Sequence, residues 1–317
     1  MELYITRPLP EPVVAEARKH FNVTLRSETT PLKTGEMRAA LTLYDVVLPT
    51  LGDLFSAEVF AEVPNPRCKL LANFGVGYNH IDVAAAREAG VAVTNTPGAV
   101  TEATADIGLM LMLMTARRAG EGERLVRAGQ WEGWHPTQML GLHLGGKVLG
   151  VIGMGRIGQA IARRAHHGLG MEVVFHNRSA RTVDGVPARQ LDSIAAVMGA
   201  ADMVVIAVPG GAETRHLINA DVLAAMQPHA HLVNIARGDV IDEAALIAAL
   251  QKGRIAGAGL DVYEFEPKVP QALMDMENVV LLPHLGTAAL EVRTGMGLMA
   301  VANAVAFAKG KDLPNPV

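Results

Sequence analysis

Three polar residues in the last third of the chain stand at spacings that could let them share one reaction. Arg237 lies in Val233-Asn234-Ile235-Ala236-Arg237-Gly238-Asp239, Glu266 in Gly259-Leu260-Asp261-Val262-Tyr263-Glu264-Phe265-Glu266-Pro267, and His284 in Leu281-Leu282-Pro283-His284-Leu285-Gly286. Arginine offers a planar fork that grips a carboxylate bidentately. Histidine exchanges a proton near neutral pH, and a glutamate beside it stabilises the imidazolium form. Such a set can hold a carboxylate, polarise the carbonyl next to it and protonate the alkoxide that develops there. Taken singly, each residue leaves a plainer reading open: a histidine at a strand end is more often structural, and a lone arginine or glutamate is more often solvated.

A second group points to a dinucleotide. Val148-Leu149-Gly150-Val151-Ile152 leads into Gly153-Met154-Gly155-Arg156-Ile157-Gly158 and then a helical stretch, Gln159 to His166. A GxGxxG between a buried strand and a helix has the context that dinucleotide binding requires. Gly153 makes the turn, Gly155 admits a pyrophosphate, and Gly158 packs helix on strand. The helix N-terminus supplies N–H groups and partial positive charge for the phosphates, with Arg156 and Ile157 counted among the cofactor-binding residues. The next strand ends His176-Asn177-Arg178-Ser179. An NAD site usually places Asp or Glu here, about 20 residues on, for the ribose 2′-hydroxyl. Asn177 does not repel a 2′-phosphate, and Arg178 with Ser179 can bind one. The expected cofactor is NADP(H), with NAD(H) accepted at lower preference.

The elements that must carry these residues alternate short apolar runs with helical patterns, which indicates an α/β fold with parallel sheets. Leu3 to Ile5, Val23 to Leu25, Asp45 to Leu48, Leu70 to Asn73 and Val91 to Thr94 read as strands of a first doubly wound unit. A helix capped by Asp82 and stopped by Gly90 lies between the last two. After Pro97-Gly98 one long helical stretch is predicted from about Thr101 to Arg127, then a loop with Trp131 and Trp134. Strands of a second unit follow at Val148 to Ile152, Glu172 to Phe175, Met203 to Val208, His231 to Ile235, Ala256 to Leu260 and Val279 to Leu282. A final helix runs to about Lys309 and is expected to return to the first unit. The boundaries expected are 1–98 plus 288–317 for a substrate domain and 99–287 for a dinucleotide-binding domain. Each of the three catalytic candidates then falls just past a strand, where a doubly wound sheet binds its ligands.

Composition excludes several other classes. Half of the 317 residues are hydrophobic and 19% are charged, enough for a large core and too apolar for a disordered chain. A net charge of −4 gives no reason to expect nucleic acid or an anionic membrane as partner. The single cysteine, Cys68, forbids an internal disulfide and fits a reducing compartment. No signal peptide is apparent, so a cytoplasmic protein is expected. The apolar stretch Ile107 to Thr115 is too short to span a bilayer. His229 and His231 form an HxH pair without a clear third ligand, so no metal is expected and a strand entry is the simpler reading. Met110, Met112 and Met114 read as packing residues, and His166-His167 suits a helix C-terminus.

Over nearly its whole length the chain resembles the D-2-hydroxyacid dehydrogenase family. The resemblance rests on Gly75-Val76-Gly77-Tyr78-Asn79, Asn95-Thr96-Pro97-Gly98, the glycine fingerprint, Glu213-Thr214-Arg215-His216-Leu217-Ile218 and the three segments above. It implies a Rossmann cofactor domain inserted into a flavodoxin-like substrate domain. It implies that Arg237 binds substrate, that His284 is the acid/base, and that Glu266 pairs with His284. It further implies that Gly75, Val76 and Gly77 hold the substrate carboxylate through backbone N–H groups and that Asp261 touches the nicotinamide carboxamide. Thr104, Pro209, Thr214, Ile235 and Gly286 match cofactor-lining positions. Within the family, His176 to Ser179 and the loop Gly129 to Pro136 look most like glyoxylate/hydroxypyruvate reductases, which implies a homodimer in which Trp134 reaches the neighbouring subunit's substrate pocket. An ordinary interface anchor is the alternative for Trp134. Gly210-Gly211 departs from the Leu-Thr pair common in the family. Two other readings stay open: a dehydrogenase for a bulkier 2-oxo acid such as a hydroxyphenylpyruvate, and a non-catalytic NAD(P)-sensing binding protein, against which the intact Arg-Glu-His set argues.

Overall fold

A computed structural model describes residues 1–317. It divides into two compact units, Met1–Val100 with Thr287–Val317, and Thr101–Gly286. The first opens with β1 (Glu2–Ile5), α1 (Glu11–Arg18), β2 (Asn22–Leu25), α2 (Thr34–Leu43), β3 (Val46–Leu48), α3 (Ala57–Ala61), β4 (Leu70–Ala72), α4 (Val83–Glu88) and β5 (Ala92–Thr94). Its five strands are all parallel in the order β2-β1-β3-β4-β5, the flavodoxin-like order. β3 and β4 are apolar and buried throughout, as a sheet covered on both faces requires. Asp82 caps α4, its carboxylate accepting from the Ala85 N–H at 2.9 Å. The strand expected to end at Asn73 stops at Ala72.

The second unit contains α5 (Thr101–Ala116), α6 (Ala119–Arg127), β6 (Val148–Ile152), α7 (Arg156–Leu169), β7 (Glu172–His176), β8 (Ala188–Gln190), α8 (Ile194–Ala200), β9 (Met203–Ile206), α9 (Ala220–Ala224), β10 (His231–Asn234), α10 (Glu243–Gln251), β11 (Gly257–Leu260), α11 (Gln271–Met274) and β12 (Val279–Leu281). Seven parallel strands run in the order β12-β11-β10-β9-β6-β7-β8. The order reverses between β6 and β9, the point at which doubly wound sheets open a ligand crevice. α5 lies against the sheet where Gly259 leaves room: a Cβ there would stand 3.0 Å from Thr115 Cγ2 and 3.1 Å from Leu111 Cβ. Met112 is fully buried, and Met110 and Met114 partly so.

Two expectations need correcting. The single helix from Thr101 to Arg127 is two helices, because the Ala116 carbonyl is taken by the Leu142 N–H at 2.7 Å and Arg118 turns left-handed at φ 53°. The Arg118 guanidinium then closes on Glu121 in the first turn of α6, at 2.6 and 2.8 Å. Sequence reading also missed β8. It is three residues of a polar edge strand, Ala-Arg-Gln, with no apolar run to betray it.

At Thr287 the chain returns to the first unit and forms α12 (Leu290–Ala308). It packs on α1 through Gly297, where a Cβ would stand 2.5 Å from Val13 Cγ2. No helix is long and apolar enough to cross a membrane.

Candidate active site

Within the second unit six functional candidates sit just beyond the carboxyl end of a strand: Gly153 after β6, Asn177 after β7, Pro209 after β9, Arg237 after β10, Asp261 after β11 and His284 after β12. The sheet thus gathers residues far apart in sequence along one edge.

The turn after β6 has the shape of a phosphate cradle. At Gly153, with φ 97°, a Cβ would stand 2.8 Å from the Val208 N. At Gly158 it would stand 2.3 Å from the Gly153 carbonyl oxygen, so both glycines are required by backbone approach. A Cβ on Gly155 would meet nothing within 4 Å, and no side chain caps α7. That open side, facing the uncapped N–H groups that begin at Arg156 and Ile157, fits a pyrophosphate. α7 starts at Arg156 rather than Gln159, which places Gly158 in its first turn.

Beyond β7, Asn177 Nδ2 donates to the Ser179 carbonyl at 3.0 Å and to its Oγ at 3.3 Å. Arg178 extends to Glu213 at 2.5 Å, both side chains largely exposed. Gln190 on β8 holds this corner, donating to the Asn177 carbonyl at 3.0 Å and accepting from the Arg181 N–H at 3.1 Å. The corner borders a concavity of about 590 Å³ lined by His176, Asn177, Arg178, Gln190, Leu191 and Asp192.

The catalytic candidates converge. His284 Nδ1 lies 2.9 Å from Glu266 Oε2, and Glu266 Oε1 accepts from the Tyr263 N–H at 3.1 Å. A carboxylate only accepts, so Nδ1 carries the hydrogen and Nε2 is the ring nitrogen left for a reactant. About a third of each side chain is exposed. Burial acts to raise the Glu266 carboxyl, but the His284 hydrogen bond and charge, the Tyr263 N–H and Arg237 together hold it below its ordinary value. Arg237 is fixed from behind: Asn234 Nδ2 donates to its carbonyl at 2.8 Å, and its NH1 donates to the Ala236 carbonyl at 2.7 Å. Burial pushes the guanidinium's pKa down, opposed by the charges of Glu266 and Asp239, yet an arginine stays charged at any working pH.

Asp261 organises the His284 turn. Its two carboxylate oxygens accept from the Leu285 N–H at 2.6 Å and the Gly286 N–H at 2.9 Å, and its carbonyl accepts from the His284 N–H at 2.9 Å. These bonds hold His284 in the left-handed region at φ 55°, a conformation a histidine rarely adopts unaided. Burial raises the Asp261 carboxyl, while the Leu285 N–H, His284 and the Gly286 N–H pull against it. Thr104, in the first turn of α5, donates to the Gly286 carbonyl at 3.2 Å. Thr214 donates to the Pro209 carbonyl at 2.8 Å, which folds the loop after β9. Ile235 is buried at the end of β10.

Other candidates belong to other segments of the chain. Gly75, Val76 and Gly77 belong to the first unit, in the loop after β4. Trp131 and Trp134 follow α6 and are 55% and 78% exposed. His229 pairs with Asp202 at 2.7 Å, and His231 opens β10.

Sequence reading assigned no role to Glu264 or His216, which the structure joins at 2.7 Å. Arg215 reaches the same carboxylate oxygen at 3.1 Å, so Glu264 ties the Thr214 loop to the segment after β11 that carries Glu266. Both residues lie inside motifs already singled out, Glu213 to Ile218 and Gly259 to Pro267. Gly210 was noted only as a departure. Its hydrogen faces the Arg237 stem, where a Cβ would stand 2.6 Å from Cγ.

Comparison with known proteins agrees with this geometry. Residues 109–286 match the family model for the D-isomer specific 2-hydroxyacid dehydrogenase NAD binding domain. This chain belongs to the D-isomer specific 2-hydroxyacid dehydrogenase family. A glyoxylate reductase from Thermococcus onnurineus is 40% identical over 321 residues, which span 100% of this chain and 95% of the relative. A glycerate dehydrogenase from Hyphomicrobium methylovorum is 35% identical over 94% of this chain and 93% of its own length. Among solved structures, an NADPH-dependent glyoxylate/hydroxypyruvate reductase from Sinorhizobium meliloti, in complex with NADP and malonate, is 34% identical with a TM-score of 0.88, covering 100% of this chain and 96% of that one. The dehydrogenase thus carries its family's NAD(P)-binding domain, and both of its units are parallel-sheet α/β units of that fold.

Proposed function

We propose that this dehydrogenase reduces a small 2-oxo acid, glyoxylate or hydroxypyruvate, to the D-2-hydroxy acid with NADPH. The observation that carries the reading is the Glu266–His284 pair beside Arg237 on the strand edge that also bears the glycine cradle. The names of the Thermococcus and Sinorhizobium relatives support the substrate class.

Gly153, Gly155, Arg156, Ile157 and Gly158 would hold the pyrophosphate, Thr104, Pro209, Thr214, Ile235 and Gly286 would line the cofactor, and Asp261 would serve the carboxamide. Asn177, Arg178 and Ser179 would receive the 2′-phosphate, with no carboxylate at the end of β7 to repel it. When bound, the reduced nicotinamide supplies a hydride. The N–H groups of the Gly75-Val76-Gly77 loop hold the substrate carboxylate, and Arg237 draws charge from the carbonyl to be reduced. Protonated His284 would give its Nε2 proton to the carbonyl oxygen, and Glu266 would steady the imidazolium until that moment. The proton from His284, with the hydride that a bound cofactor would supply, balances the change from oxo group to hydroxyl, and neutral His284 recovers its proton from solvent. The exposed Trp134 is read as a contact of a homodimer, reaching toward the neighbour's substrate.

The test separates chemistry from binding. His284→Ala should retain NADPH binding by fluorescence titration while kcat with hydroxypyruvate falls about 10²- to 10⁴-fold. A variant with wild-type turnover would refute the assignment of His284.

A further inference from the structure

Every peptide carbonyl of the Gly75-Val76-Gly77 loop is held from behind by a side chain. Asn73 Nδ2 donates to the Gly75 carbonyl at 3.1 Å and to the Gly77 carbonyl at 3.0 Å. Asn95 Nδ2 donates to the Val76 carbonyl at 2.8 Å. The Gly75 carbonyl also accepts from the Thr96 N–H at 3.0 Å. In a trans peptide the C=O and the following N–H point in opposite directions. Turning these three carbonyls inward therefore turns the N–H groups of Val76, Gly77 and Tyr78 outward, and none of the three donates to another group of the chain. Three successive outward N–H groups form a concavity suited to a carboxylate.

The supports are themselves fixed. Asn73 is fully buried, and with both amide hydrogens committed its Oδ1 faces His80 Nε2 at 3.0 Å. An amide oxygen only accepts, so His80 donates from Nε2 and holds the Asn73 amide in the orientation the loop needs. Asn303, buried on α12, donates to the Asn95 carbonyl at 3.3 Å and accepts from the Asn315 N–H at 3.1 Å. The Asn95 N–H donates to the Asn315 carbonyl at 3.1 Å. A loop carrying glycines at its first and third positions would otherwise sample many conformations.

We propose that Asn73, His80 and Asn95 are positioning residues that aim the Val76, Gly77 and Tyr78 N–H groups at the carboxylate of the 2-oxo acid. This rests on the reading that the loop receives that carboxylate. Asn73→Asp and Asn95→Asp keep the shape and replace the donating amide with oxygen that repels the carbonyls. Steady-state kinetics with hydroxypyruvate and NADPH should show KM for the oxo acid raised about tenfold or more in each variant, since a charge-assisted hydrogen bond is lost or misaimed. KM for NADPH should not change, and kcat should fall far less than kcat/KM. His80→Leu should behave alike, and His80→Gln, which keeps an N–H donor, should recover most of the affinity. A purely structural role would lower Tm and the active fraction and leave the KM of the surviving enzyme unmoved. Unchanged KM in both aspartate variants, with a wild type that turns over hydroxypyruvate, overturns the positioning role alone. A wild type that reduces no 2-oxo acid overturns the functional reading as well.

Discussion

At the residue scale the proposed chemistry depends on how one arginine and one histidine are held. Gly210 exists where the Arg237 stem needs its space, with a would-be Cβ 2.6 Å from Cγ. Gly210→Ala should displace the guanidinium by a fraction of an ångström and lower kcat/KM for the oxo acid about tenfold or more, measured against an unchanged Kd for NADPH. Glu266 is held below its ordinary carboxyl value, so it contributes stability above the unfolded value of 4.5 and loses that contribution as pH falls through the lower folded value. Glu266→Gln should therefore melt below wild type at pH 7, with the gap closing under about pH 4.5; a gap that widens in acid would contradict the pairing. Cys68 is fully buried, and burial pushes its thiol up to about 12. A thiol-specific reagent at pH 8 should leave the native protein unlabelled and react once denaturant is added.

At the element scale, strand ends and glycine contacts decide what is positioned. The end of β7 carries cofactor choice: Asn177→Asp should shift kcat/KM toward NADH by about tenfold or more, by restoring a ribose acceptor that repels a 2′-phosphate. Gly297 brings α12 onto α1 at a distance no side chain tolerates. Gly297→Val should destabilise the fold by about 1–3 kcal/mol, read as a lower Tm and urea midpoint, with KM values intact in the folded fraction. The glycine fingerprint was legible in sequence because the turn after β6 accepts only glycine where backbone meets backbone. The break between α5 and α6 was not, because it depends on the Leu142 N–H, twenty-six residues beyond the carbonyl it captures. β8 escaped because an edge strand of Ala-Arg-Gln buries too little to impose a pattern.

Across the whole molecule, alternating strands and helices sufficed to foresee two parallel sheets, and Arg237, Glu266 and His284 were legible because each follows a strand. The pairing of His284 with Glu266 was implied by family resemblance and could not be read from spacing, since eighteen residues separate them through an irregular stretch. Long-range polar supports were less legible still. Asn303 reaches Asn95 across 208 positions, and nothing local marks either residue as a partner of the other. Gly210 looked like a mere departure from the family pattern until the Arg237 stem was seen against it.

The most direct measurement is a set of initial rates of NADPH and NADH oxidation with glyoxylate, hydroxypyruvate, pyruvate and phenylpyruvate. NADPH with glyoxylate or hydroxypyruvate is expected to give the highest kcat/KM, and His284→Ala to lower it by about 10²-fold or more. A bulky 2-oxo acid as the best substrate, equal use of NADH, or NADPH binding without turnover of any of the four would contradict the proposed function.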